Sequence, residues 1–292
     1  MFYDFETTTF GKWILAGEHA VIRGYEAIVF PVKEKKLTLK YQQYPEIEGI
    51  KFTSSYDPDM HFLFNRVLNE GLHLLNRSLN QINGHFHLEN TIPVGVGMGA
   101  SAALCVAVSR WFCAQKMIEK KDISTLAQEM EHLFHGKSSG LDVAGVAAVE
   151  GLLFKAGYSI PFKQVNYPVW YLSTCNQIGV TSDCVKQVED LWKKNPELAL
   201  KIDNQMNEAT QEFKRILEQK NSDFKMQLVH TINKAADCFY QWGLVSESLH
   251  NHMNDLKELG ALAVKPTGSG GGGFVLSLWN EKPADLNEFI AV

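Results

Sequence analysis

No stretch of about 20 uncharged apolar residues occurs in the chain, which excludes a helix across a bilayer. No two of the five cysteines (Cys105, Cys113, Cys175, Cys184 and Cys238) form a Cys-x-x-Cys pair. Their odd number and wide spread argue against a disulfide framework or a thiolate zinc site. They read as reduced thiols, and a cytoplasmic protein is expected. Basic residues do not predominate: 28 Lys and Arg stand against 33 Asp and Glu, a net charge of −5. That balance lacks the positive field of a general nucleic-acid binder, although it permits a local anion site. Internal repeats and low-complexity linkers are missing. Met1–Glu6 carries early acids and no long apolar run, so no signal peptide is expected.

What is present is an ordinary globular composition over 292 residues, 45% hydrophobic and 21% charged. The length is large for one core, so two lobes are expected. Gly157, Pro161 and Pro168 cluster where a seam is expected, between about residues 155 and 168, giving 1–165 and 166–292 as the two parts. Residues 13–16, 27–30 and 37–39 alternate and read as strands of an opening antiparallel sheet. Helical spacing follows from Pro58 to about Leu79, then a strand at 85–88, a helix from about residue 101, and a second helix over 123–134. A strand is expected at 151–154 and another at 169–173. Charged helices fill 182–259, and strands at 261–264 and 273–278 flank a second glycine loop.

The organising stretch is Pro93–Ala103, Pro-Val-Gly-Val-Gly-Met-Gly-Ala-Ser-Ala-Ala. Glycines that lead into a helix start direct several backbone N–H groups at one spot, and the helix dipole adds positive potential there. That combination suits a phosphate. A flexible turn is the plain alternative. Two common phosphate cradles do not fit. Gly136-Lys137-Ser138 has the tail of a Walker loop, but position 131 is Glu where that motif needs Gly. The dinucleotide fingerprint is interrupted by Pro93. The second loop, Gly268–Gly273, carries four consecutive glycines. Their entropic cost makes sense where backbone passes close to a ligand or to another loop.

Three segments together resemble the GHMP small-molecule kinases. Gly11–Val21 (Gly-Lys-Trp-Ile-Leu-Ala-Gly-Glu-His-Ala-Val) resembles their first motif, Pro93–Ala103 their second, and Lys265–Gly273 their third. Order and spacing agree across nearly the whole chain. Within that group Gly17-Glu-His-Ala-Val-x-x-Gly24 and His135-Gly-x-x-Ser139-Gly-x-Asp142 resemble the mevalonate kinases. The resemblance implies an α+β, two-lobed GHMP kinase fold: an N-terminal ribosomal-protein-S5-like lobe with a left-handed βαβ crossover, and a C-terminal ferredoxin-like lobe, with ATP in the cleft. It implies ATP- and Mg²⁺-dependent phosphorylation of mevalonate.

The resemblance also assigns roles. Pro93, Gly95, Gly97, Met98, Gly99, Ala100, Ser101 and Ala102 would hold the ATP phosphates, with Ser101 and Glu131 as Mg²⁺ ligands. Asp142 would be the general base, and Lys12 would pair with it, keep it ionised and stabilise the nascent alkoxide. Lys12, Glu18, His19 and Asp142 would bind the substrate, and Thr267, Gly268, Gly270 and Gly271 form the third glycine loop. Read from local sequence alone, Glu131 also fits a solvated helix residue, Asp142 a helix cap, Lys12 an exposed strand lysine and His19 a turn histidine. The pairs His85/His87 and His132/His135 have metal-compatible spacing but are read as structural. Two departures from the family pattern stand out. Ala100 replaces a serine, and residues 174–185 lack the usual basic residue, leaving Thr181 or Ser182 to supply a hydroxyl. Another sugar, phosphomevalonate or alcohol kinase, or a silent ligand sensor, therefore stays open. So does a homodimer formed across the apolar N-terminal strands.

Overall fold

The structure, a computed structural model, describes residues 3–44, 49–55, 58–135, 138–283 and 289–292. It is a mixed α+β protein that divides into two compact units, each assembled from separated pieces of chain. The first contains Met1–Lys12, Pro31–Val94 and Gly99–Val149; the second contains Trp13–Phe30, Gly95–Met98 and Glu150–Val292. Two long strands, β1 (Phe5–Ala16) and β2 (Ala27–Gln43), pair with each other and contribute residues to both units.

In the first unit, β3 (Ile50–Ser55), α1 (Pro58–Leu74) and β4 (Gly84–Asn90) form a parallel β-α-β crossover. β4 also pairs antiparallel with β2, from Leu37↔Asn90 to Gln43↔Gly84. Three more helices belong here: α2 (Ala100–Ala114), α3 (Ile123–His135) and α4 (Leu141–Ala147). The core is aromatic. Phe64 and Phe86 lie 5.0 Å apart, Trp111 lies 4.9 Å from Phe86, and all three are buried. α2 packs so closely that a Cβ on Gly71 of α1 would meet the Phe112 ring at 2.4 Å. The small residues Ala102, Ala103, Val106 and Ala107 are fully buried, so α2 is a central helix whose position its neighbours determine.

In the second unit, β5 (Leu152–Lys155) pairs with Ala27–Val29 of β2 and turns into β6 (Tyr158–Pro161). The connecting Ala156 and Gly157 both have positive φ, the geometry of a two-residue hairpin. A four-stranded antiparallel sheet has the order β10 (Ile290–Ala291), β7 (Val169–Thr174), β9 (Phe274–Trp279), β8 (Ala263–Pro266). Four amphipathic helices accompany it: α5 (Thr181–Lys194), α6 (Pro196–Glu218), α7 (Phe224–Gln241) and α8 (Glu247–Glu258). Asn195 starts α6 by accepting the Leu198 N–H, with Pro196 in the first turn where its missing donor costs nothing.

Sequence periodicity and structure differ in places. The strands read separately at 27–30 and 37–39 are one 17-residue strand, β2. Its central Lys33-Glu34-Lys35-Lys36 run masks the continuity, because ladder pairing to β5 ends at Val29 and pairing to β4 begins at Leu37. β3, β6 and β10 carry too little alternation to be read; β6 is exposed at all four residues.

Candidate active site

In the first unit the site is built around the start of α2. Its N-cap is Gly99, at φ 84°, so no side chain caps the first-turn N–H groups. Those donors and the helix dipole remain suited to an anion. Gly99 is required twice over: its φ is left-handed, and a Cβ there would meet Val146 at 2.8 Å and the Lys12 stem at 3.1 Å. The same crowding brings Lys12 of β1, the start of α2 and α4 together. Thr9 of β1 donates its hydroxyl to the Ala103 carbonyl at 3.1 Å, and Arg110 of α2 donates to the Thr8 and Ala147 carbonyls, which fixes α2 against β1 and the end of α4.

Lys12 is 3% exposed, and its Nζ lies 2.8 Å from Asp142 Oδ1. It is therefore not an exposed strand lysine: a buried ammonium needs a partner, and Asp142 supplies it. Asp142 is not the cap of α4 either; Gly140 holds that position and Asp142 lies in the first turn. The loop before it is tied down locally. Ser139 Oγ accepts the Leu141 N–H at 3.2 Å, and Gln128 Nε2 donates to the Ser138 carbonyl at 2.9 Å.

Glu131 of α3 is 1% exposed, which removes the reading of a solvated helix residue. Ser138 donates its hydroxyl to Glu131 Oε2 at 2.5 Å. Burial, and next the negative charge of Asp142, push the Glu131 carboxyl up to about 8, against the opposing pull of Ser138 and Lys12. A buried carboxylate held this far from its ordinary range, next to a second acid, fits a site that receives a cation. Ser101 and Glu131 offer hard oxygen donors of the kind Mg²⁺ takes, and Mg²⁺ often uses only one or two protein ligands. Among the described residues no group of three or more His, Cys, Asp or Glu is gathered as a metal cage.

The second unit holds the other motif residues. Gly17, at φ 99°, lies so near the backbone of Glu26 and Ala27 that a Cβ on it would meet both at 2.5 Å, so only glycine fits. Glu18 Oε1 pairs with Lys265 Nζ at 2.6 Å, both buried. His19 Nε2 lies 2.9 Å from the Ser269 carbonyl, which can only accept, so Nε2 is assigned the proton. Burial, opposed by that hydrogen bond, lowers the His19 pKa to about 4 and keeps the imidazole neutral. Thr267 both donates to the Ile14 carbonyl and accepts the Ile14 N–H, each at 2.9 Å.

The third glycine loop is packed against protein. Gly268, Gly270 and Gly271 all have left-handed φ. Gly271 N–H donates to the Leu244 carbonyl at 2.7 Å, and a Cβ on Gly179 would meet the Gly270 carbonyl at 2.6 Å. A Cβ on Gly273 would meet the Val96 carbonyl at 2.7 Å, so residues 95–98 of the first glycine loop lie against this one. Here the consecutive glycines serve close approach to other loops. Gly95 and Gly97 themselves have φ of 79° and 83°, which only glycine adopts freely. In the segment without a basic residue, Thr181 Oγ1 lies 3.3 Å from Ser269 Oγ.

The paired histidines have protein partners where they are described. Thr53 Oγ1 lies 2.8 Å from both His85 Nε2 and His87 Nδ1. His132 lies 3.4 Å from Glu129. The side chain of His135, and Gly136 and Lys137 of the Walker-like tail, fall outside the described residues. Three residues whose roles sequence reasoning passed over contact the candidate residues: Ser138 meets Glu131, Lys265 meets Glu18 and Ser269 meets His19. Ser138 was hidden in that tail; its signal is a hydroxyl in the loop after Glu131. Lys265 opens the third motif, but nothing local marks it as buried. Ser269 acts through its carbonyl, which no side-chain pattern shows.

Comparisons with known proteins find likenesses over part or most of the chain. Residues 64–151 match the family profile described as GHMP kinases N terminal domain. A mevalonate kinase of Thermococcus sibiricus is 26% identical over 314 aligned positions, covering 96% of this chain and 91% of that protein. The L. major mevalonate kinase in complex with R-mevalonate superposes with a TM-score of 0.78 at 20% identity, over 95% of this chain and 88% of that one. The Streptococcus pneumoniae phosphomevalonate kinase in complex with phosphomevalonate and AMPPNP gives 0.74 at 17% identity, over 95% and 93%. The fold is that of the GHMP kinases, and the resemblance to their N-terminal domain and to mevalonate kinases supports a small-molecule kinase.

Proposed function

We propose, from the premise that this chain has the GHMP kinase fold, that it transfers the γ-phosphoryl group of ATP to the primary hydroxyl of mevalonate, giving 5-phosphomevalonate and ADP. The observation that carries the reading is the Lys12–Asp142 pair at 2.8 Å, with Lys12 packed beside the Gly99 helix start. Phosphoryl transfer asks a protein mainly for positioning and charge neutralisation. The N–H groups at the start of α2, which its N-cap Gly99 leaves without a side-chain cap, suit the phosphates. Asp142, about a third accessible at its side chain, takes the proton of the attacking hydroxyl as the O–P bond forms and the bond to ADP breaks. Lys12 orients Asp142 and offsets charge that develops on the alcohol oxygen. Ser101 and Glu131 would hold Mg²⁺, which when bound neutralises phosphate charge. Glu18 and His19 would contact the acceptor, and the neutral His19 leaves Nδ1 as a hydrogen-bond acceptor for an alcohol.

In the family's terms we assign 1–165 to the N-terminal lobe and 166–292 to the C-terminal lobe. The five free cysteines fit a reducing compartment, and on that ground we place the activity in the cytoplasm. Among the described residues no helix is long and apolar enough to cross a membrane.

A second reading keeps the same phosphate machinery with a different acceptor. It is favoured by residues 174–185, which hold neither Lys nor Arg for an acidic substrate. A substrate panel with coupled ADP detection separates the two. Turnover with mevalonate, and little with phosphomevalonate or galactose, supports the first reading. Turnover only with another acceptor overturns it, and nucleotide binding with no turnover on any acceptor makes the protein a ligand sensor.

A further inference from the structure

The turn that carries Glu18 and His19 is held in a conformation its own residues do not favour. His19 sits at φ 57°, ψ −45°, and the Ala20 N–H reaches back to the Glu18 carbonyl at 2.5 Å. This is a γ-turn of the positive-φ kind, rare and strained for a residue with a Cβ. Such strain persists only where surrounding contacts over-determine it. Two anchors are visible. At the far end, Arg23 makes a two-pronged pair with the buried Asp203 of α6, its guanidinium lies 5.0 Å from the Trp192 ring centre, and Tyr25 donates to Asn204 at 2.8 Å. At the near end the anchor is Lys265.

Lys265 lies on β8, in ladder register with Leu276, and is fully buried. Its Nζ is 2.6 Å from Glu18 Oε1 and 3.4 Å from the Ile14 carbonyl, and 5.4 Å from the Phe239 ring centre. An ammonium in such a place is costly unless its partner is fixed. Burial draws its pKa below the ordinary lysine value, and the Glu18 carboxylate opposes that. The pairing therefore constrains both ends: Lys265 needs Glu18 at this spot, and Glu18 cannot leave without stranding a buried charge. His19, next in the chain, is then pinned to the Ser269 carbonyl of the adjoining loop.

We propose that Lys265 is a positioning residue that, through Glu18, holds the Glu18–His19 turn in its strained form and so presents it to the acceptor alcohol. The proposal rests on the kinase reading in which that turn meets the acceptor. The test uses the full chain, Lys265→Met, and the double variant Lys265→Met with Glu18→Gln, which strands no buried charge and so keeps the fold. The KM for mevalonate is expected to rise at least tenfold in both, with the Kd for ADP, from titration calorimetry, within about threefold of the parent. Histidine-resolved NMR is expected to show His19 titrating higher than in the parent. A merely structural role would move neither the acceptor-to-nucleotide split nor the His19 titration. A folded variant with an unchanged mevalonate KM and an unchanged His19 titration overturns the proposal. If the parent phosphorylates no acceptor, the kinase reading falls by itself, and the His19 titration still decides whether Lys265 holds the turn.

Discussion

Replacing Asp142 by Asn removes the carboxylate proposed as proton acceptor and keeps the shape, so it isolates that group from the rest of the candidate site. Loss of a general base typically costs about 10²- to 10⁴-fold in rate, which is about 3 to 5 kcal/mol of barrier. A structural cost accompanies it. Lys12 is 3% exposed and would face a neutral amide in place of the carboxylate now 2.8 Å from its Nζ. Breaking a fully buried pair costs about 3–5 kcal/mol. Because the Asp142 side chain is 29% exposed, water recovers part of that, and a destabilisation of about 1–2 kcal/mol is expected. The assay is steady-state turnover by coupled ADP detection, with nucleotide affinity measured separately by calorimetry and stability by urea unfolding. The expected pattern is a kcat lowered by at least a hundredfold, an ADP Kd within about threefold, and a modest loss of stability. Turnover within tenfold of the parent, in a protein that binds ADP normally, would refute the assignment of Asp142 as base.

Gly99→Ala should destabilise the fold by about 1–3 kcal/mol, from the left-handed φ of 84° and a Cβ 2.8 Å from Val146; because the same Cβ crowds Lys12, kcat should fall with it, and urea unfolding beside kinetics checks both. Glu131→Gln should raise the Mg²⁺ concentration needed for half-maximal turnover, read from a Mg²⁺ titration of the coupled assay. In stability it should match the parent at about pH 4, where the carboxyl is protonated folded and unfolded alike, and exceed it increasingly up to about pH 8: burial pushes the folded Glu131 carboxyl from 4.5 up to about 8, so the parent loses stability as pH rises through that window, which a pH series of urea unfolding checks. His19 has the opposite sign. Its folded pKa is lowered to about 4 from 6.5, so the unfolded chain takes up the proton first, and stability present above pH 6.5 is lost as pH falls toward 4. The gap corresponds to about 3 kcal/mol at most, and His19→Gln should flatten that part of the acid limb in a pH series of unfolding curves.

Much of the site is legible because its chemistry is local in the chain. The Pro93–Ala103 glycines announce left-handed backbone before a helix, and Gly95, Gly97 and Gly99 adopt it. Helical and strand periods mark α1 to α3, β7 and β9 because each buries one regular face. The charged run at Lys33–Lys36 hid the continuity of β2, since exposure there follows from where the neighbouring strands stop pairing. Glu131 and Lys12 look like surface residues in their own segments, and only burial distinguishes them.

By itself the sequence determined the motifs, their order, and the residue types able to hold phosphate, move a proton and bind a hard cation. Those properties belong to short stretches whose backbone preferences are intrinsic. Only the tertiary structure decided which charges meet. Lys265 finds Glu18 across 247 residues, and His19 finds the Ser269 carbonyl across 250. Lys12 meets Asp142 because Thr9 and Arg110 hold α2 between β1 and α4. These pairings depend on strand register and on helix packing at ångström precision, and a buried charge has no meaning until the chain has closed around it.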